Sequence, residues 1–137
     1  MASTIPFKLI TPTKVVFEGD AELVIAVTTE GEEGILPHHA PFLAALKPGV
    51  LRANVQSAGK SERLELATGE GFMQALPDRL TVLVDEALRF EDVDVAAARE
   101  ERDRALERQR TATGEQFARE QAIVDFASAK LRLTGHN

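Results

Sequence analysis

Cysteine is absent from this 137-residue chain, so disulfides, thiolate metal sites and thiol nucleophiles are all excluded. Tryptophan and tyrosine are absent too, and the aromatic content is seven phenylalanines, which leaves little for a base-stacking platform. Positive charge is in deficit: the net charge of -6 opposes non-specific binding to nucleic acid. No run approaches the roughly 18 apolar residues of a membrane-spanning helix. The opening "MASTIPFKLI" lacks the basic and apolar regions of a signal peptide, and the expectation is a cytoplasmic protein. Only three histidines remain as soft metal ligands.

What is present divides into two grammars. From Ile5 to about Phe90 run short β-like segments, "FKLI", "KVVFEG", "ELVIAVTT", "FLAAL", "GVLRANVQ", "ERLELATG", "GFMQAL" and "RLTVLVDEAL", separated by turn residues. Several alternate: Leu80, Val82 and Val84 against Thr81, Leu83 and Asp85, and Leu64 and Leu66 against Arg63 and Glu65. Eight or more such strands with no helical period between them predict a β-sandwich or flattened barrel. After "FEDVD", Ala, Glu and Arg take over. The expectation is an αα-hairpin: one helix from Asp92 to Arg110, with Asp92 and Asp94 at its N-terminus, a stop at Gly114, and a second helix from about Glu115 to Leu133. The domain boundary falls at 88/89.

The first helix carries Val93, Val95 and Leu106 as its sizeable apolar residues, so its burial is expected to be thin. The second offers Phe117, Val124 and Leu131 at seven-residue spacing, with Ile123, Phe126 and Leu133 beside them. Pairs such as Arg99 with Asp103 and Glu100 with Arg104 each add about 0.2 to 0.5 kcal/mol. A hairpin that docks weakly enough to move and one packed permanently on the sandwich both remain open.

Two stretches carry candidate function. "EEGILPHHAPFLAALKPG", Glu32 to Gly49, sets His38 and His39 between Pro37 and Pro41. Adjacent residues of an extended segment point to opposite sides, and a helical metal pair needs i, i+4 spacing, so the histidines do not suit a metal. No Gly-x-Ser-x-Gly or P-loop pattern is present either. The glycines and prolines instead stiffen an exposed loop, either a binding loop or a plain structural turn. The other stretch is the arginine run Arg99, Arg102, Arg104, Arg108 and Arg110, which reads equally as a solvated helix face or as bidentate donors to an acidic partner.

"GEEGILPHHAPFLAALKPGVLR" (Gly31 to Arg52) resembles the central signature of the epsilon subunits of bacterial F-type ATP synthases. "ATGEGF" (Ala67 to Phe72), "LVDEAL" (Leu83 to Leu88) and "EDVDVAAAREERDRALER" are similar to that family as well, so the resemblance covers nearly the whole chain. It implies a ten-stranded β-sandwich followed by two helices, and a non-catalytic subunit peripheral to the cytoplasmic face of the bacterial inner membrane. The sandwich would seat on the gamma subunit and touch the polar loops of the c-ring through Glu32, Pro37, His38 and His39. The hairpin would restrain ATP hydrolysis by extending along gamma, with Arg99, Arg102, Arg104 and Arg108 meeting the catalytic β subunits of α3β3.

Two departures from the family pattern stand out. His38 occupies a place where glycine is usual before His-Ala-Pro, so any left-handed backbone there costs roughly 1 kcal/mol. Ala97 and Phe126 replace basic residues of the family members that bind ATP, so weak or absent ATP binding is expected, and no cofactor or metal. The rival classes are a free-standing adaptor or chaperone-like protein, and a histidine-dependent hydrolase holding a metal.

Overall fold

A computed structural model describes residues 3–136. Its first two strands make the frame. β1 (Ile5–Ile10) buries Ile5, Phe7 and Leu9 on one side, as period-2 alternation requires. β2 (Val15–Thr28) runs antiparallel to it from Ile5 opposite Ala21 to Leu9 opposite Phe17. The two runs "KVVFEG" and "ELVIAVTT", which the sequence separates at Asp20 and Ala21, thus join in one 14-residue strand. An irregularity between Ala21 and Leu23 in its pairing with β5 lets it turn from one sheet into the other. Counting it once gives nine strands among the described residues, where the resemblance implied ten.

β3 (Gly31–Ile35) folds back on β2, with Thr28 Oγ1 donating to the Gly31 carbonyl at 2.7 Å to close the bend. Then follow β4 (Phe42–Leu46), β5 (Gly49–Ser57), β6 (Lys60–Thr68), β7 (Gly71–Leu76), β8 (Arg79–Val84) and β9 (Ala87–Arg89). The strand order is β1-β8-β7-β4-β2-β5-β6-β9, and β1 pairs with β2 as well as β8, which closes the sheet into a flattened sandwich. The β1 pairing with β8 is parallel. Met73, Ala75, Leu80, Val82 and Val84 from one layer meet Val24, Leu51, Ala53, Val55 and Leu66 from the other in a single core. The "RLTVLVDEAL" run divides because Asp85 and Glu86 turn the chain: the Asp85 N–H donates to Glu70 and the Gly69 N–H to Glu86.

A 3-10 turn at Phe90–Asp92 leads into α1 (Val95–Gln109), so the first helix starts three residues later than the acids suggested. Asp94 is its N-cap, accepting from the Ala97 N–H at 3.0 Å, worth about 1 kcal/mol. Gly114 does not stop α1; with φ +59° it opens α2 (Gly114–Leu133). The far end of α2 closes with Gly135 at φ +78°, the His136 N–H bonding to Leu131 and the Gly135 N–H to Arg132. α1 buries only Ala98 and Ala105. α2 lies against β5 and β6, where Phe126 and Ala129 meet Ala67, Val50 and Leu88 in a second, smaller apolar cluster. Phe117, predicted with Val124 and Leu131 in one apolar line, is 45% exposed, while those two are buried.

Candidate functional site

The loop after β3 is a tight turn. The His39 N–H donates to the Leu36 carbonyl at 3.2 Å, Pro37 holds the second position, and His38 stands third with φ +67°. That is the arrangement of a type II turn, whose third residue favours glycine. The left-handed backbone expected where His38 replaces glycine is therefore present, with a side chain on it. His39 lies across Phe42, ring centroids 4.9 Å apart, and its Nδ1 is 2.8 Å from the Ala40 carbonyl, so the proton sits on Nδ1 when that hydrogen bond forms. The turn presents Leu36 and His38 to solvent.

Glu32 is elsewhere. It sits on β3 opposite Val27, some five residues back from Pro37, roughly 16 Å along an extended strand. Arg52 on β5 reaches across β2 to hold its carboxylate, Nη2 to Oε2 2.5 Å. This pair lines an open cleft of about 530 Å³ whose other wall is the base of α2, with Asp125, Ser128 and Arg132. Glu32 therefore faces the hairpin, and the turn Pro37–His39 does not share its surroundings. Among the described residues, no three of His, Asp or Glu converge to hold a metal ion.

The four arginines are not equivalent. Arg99 and Arg104 are exposed, and Arg104 pairs with Glu100 as its spacing predicts. Asp103 does not take Arg99: its carboxylate lies 3.3 Å from Arg102 Nε, because the neighbouring guanidinium folds along the helix and reaches it first. Arg108 is exposed as well, its side chain 49% so, but its Nε is tied to the buried Glu120 of α2, Nε to Oε2 2.6 Å. Ala97 donates its N–H to the cap and Phe126 is buried in the second cluster, with the Lys130 ammonium 4.7 Å from its ring centre. The groove beside Phe126 is rimmed by Glu70, Asp85, Glu86 and Glu101 against Arg119 and the Lys130 ammonium, which Glu101 holds at 3.2 Å, a net negative field that opposes a phosphate group.

A further surface escapes loop-and-motif reasoning. Direct strand neighbours share a face, so Val15, Ile10, Leu83, Phe72 and Ala45 form one row across β2, β1, β8, β7 and β4. All point away from the core, with Phe72 56%, Val15 50% and Leu83 45% exposed, and Leu43 beside them at 71%. Leu83, an apolar residue in the wetter register of an alternating strand, was the signal in the sequence. A contiguous exposed apolar patch on a sheet marks a surface that another molecule covers.

Residues 4–90 match the family described as ATP synthase, Delta/Epsilon chain, beta-sandwich domain. The chain is 39% identical over 135 residues to an ATP synthase epsilon chain of Teredinibacter turnerae, covering 96% of this chain and 93% of that one. It is 38% identical to the epsilon chain of Chromobacterium violaceum over 126 residues, 91% and 89% of the two chains. Among solved structures, a chain in the Euglena gracilis mitochondrial ATP synthase OSCP/F1/c-ring assembly shares the fold with a TM-score of 0.78 at 18% identity, over 97% of this chain and 82% of that chain. A chain of the Tetrahymena thermophila mitochondrial ATP synthase central stalk/c-ring does so with a TM-score of 0.61 at 17% identity, over 93% and 97%.

Proposed function

The chain belongs to the ATP synthase epsilon-chain family, non-catalytic subunits of the central stalk, and on that premise we propose how its surfaces divide the work. The sandwich couples rotation: its apolar row seats on gamma, and the Pro37–His39 turn, with Glu32 further along β3, meets the polar loops of the c-ring. The observation that carries this reading is the row Val15, Ile10, Leu83, Phe72 and Ala45, since a central-stalk subunit needs one adhesive face and this row is apolar and uncovered.

The hairpin restrains ATP hydrolysis by leaving the sandwich and presenting arginines to the β subunits of α3β3. Its thin contact supports such motion: α1 buries two alanines, and the cluster under α2 is small. Arg99, Arg104 and Arg108 are exposed and make the first contacts, Arg108 by loosening its Nε bond to Glu120; Arg102, partly buried, follows once released from Asp103. The acidic groove and the burial of Phe126 favour a hairpin that does not bind ATP. Among the described residues no helix is long and apolar enough to cross a membrane; in the proposed role the association with the membrane runs through the assembly.

The test is co-purification with cognate gamma. Phe72→Asp with Leu83→Asp, two exposed positions, should abolish binding while leaving the far-UV spectrum and melting temperature near wild type. Binding that survives both charges would place the gamma contact elsewhere, and capture of many unrelated proteins instead of gamma would favour the adaptor reading.

A further inference from the structure

Two charged residues lie buried in the hairpin. Glu120 and Lys130, both on α2, are 7% and 8% exposed. Each is paired across to α1: Glu120 Oε2 with Arg108 Nε at 2.6 Å, and Lys130 Nζ with Glu101 Oε1 at 3.2 Å and Oε2 at 3.4 Å. The signs are crossed. α1 contributes an anion at its middle and a cation near its end, and α2 answers with the anion first and the cation last. Beside the Arg108–Glu120 pair Gln109 Nε2 donates to Gln121, which donates to Asp125.

Apolar packing cannot fix the register of these helices, because α1 offers only Ala98 and Ala105. Short, alike side chains permit sliding, whereas crossed charges do not. Moving α1 by one turn in one direction brings Arg104 to Glu120 but sets Ala97 opposite Lys130. The other direction sets Ala112 opposite Glu120 and Ala105 opposite Lys130, losing both pairs.

We infer that Arg108 with Glu120 and Glu101 with Lys130 form a two-point charge latch that sets the register of the hairpin and holds it shut. An acidic partner that takes the Arg108 Nε–H displaces Glu120, so Glu120 competes with that contact and weakens it. The latch stands on the distances alone. The exchange rests on the inhibitory reading of the hairpin proposed above.

Hydrogen exchange of the full chain, followed by mass spectrometry, tests the latch without any partner. Glu120→Gln and Lys130→Met should each speed exchange across α1 by about fivefold, the scale of a partly exposed ion pair. The sandwich peptides serve as internal reference and should not change. Glu100→Gln, which removes an exposed pair within α1, should leave exchange at the wild-type rate. The swap of Arg108→Glu with Glu120→Arg should restore protection. Equal exchange in Glu120→Gln and Glu100→Gln, or a swap that recovers nothing, overturns the latch. In the α3β3γ complex, Glu120→Gln should then inhibit hydrolysis more strongly than the wild-type chain. Faster exchange with unchanged inhibition overturns the exchange step and leaves the latch. A wild-type chain that does not inhibit at all overturns the inhibitory reading instead, without touching the exchange data.

Discussion

Replacing His38 by glycine should stabilise this protein, although histidine is the larger residue. His38 holds φ +67° at the third position of the Leu36–His39 turn, where an L side chain costs about 1 to 2 kcal/mol. Glycine removes that strain but frees the unfolded chain, which takes back about 0.4 to 1 kcal/mol. The net gain is about 0.5 to 1 kcal/mol, a rise in melting temperature of about 2 to 5 °C for a chain of this size. Circular dichroism melts with paired urea titrations measure it, with no disulfide to complicate reversibility. His38→Ala separates conformation from side chain, since it keeps the strain while deleting the ring, and should lie close to wild type. His38→Asn, which tolerates the left-handed region, should fall between them. A melting temperature that drops with glycine, or coincides for glycine and alanine, refutes the argument.

Other substitutions follow from the same contacts. Gly71→Ala would bring a Cβ to 1.8 Å from the Leu83 carbonyl oxygen, a backbone clash that should cost at least about 3 kcal/mol, read as loss of soluble protein or a collapsed urea midpoint. Ala58 takes φ +52° before Gly59 in the two-residue turn joining β5 to β6, so Ala58→Asn should add about 0.5 kcal/mol in the same melts. Arg52→Met leaves Glu32 largely solvated, with its side chain 57% exposed, and should cost less than about 1 kcal/mol; a larger loss in urea titration would mean the cleft is drier than it looks. Calorimetric titration with ATP should give no dissociation constant below about 1 mM, and a tighter value would contradict the reading of the acidic groove.

Most of the sandwich was legible because alternation reports burial directly. Leu64, Leu66, Leu80, Val82 and Val84 are buried as their spacing required, and Arg63, Glu65 and Asp85 face out. The errors arise where burial and hydrogen bonding part company. "GEEGI" is a strand whose first four residues are all exposed, so nothing in their hydrophobicity announces the ladder they make with β2. Asp20 and Ala21, left between two runs, continue through β2, because strand pairing on both sides supplies the order that local propensity withholds. In the hairpin, a seven-residue repeat places Phe117, Val124 and Leu131 on one line, yet periodicity does not say how far the partner surface extends, and Phe117 stays in solvent. The buried charges were out of reach for a related reason: Glu120 and Lys130 look like surface residues until their partners on the other helix are known. The turn was read more surely, since prolines and a misplaced histidine constrain the backbone locally.

The central claim is that the sandwich and the hairpin have separable roles, and ATP hydrolysis by the cognate α3β3γ complex tests it most directly. The core cluster of the sandwich contains no hairpin residue, so a chain ending at Phe90 should fold and still bind gamma. With the full chain hydrolysis should be restrained, and with the shortened chain it should rise several-fold. Equal rates with both, each shown to be bound to gamma, would contradict the account and reduce the arginines of α1 to a solvated face.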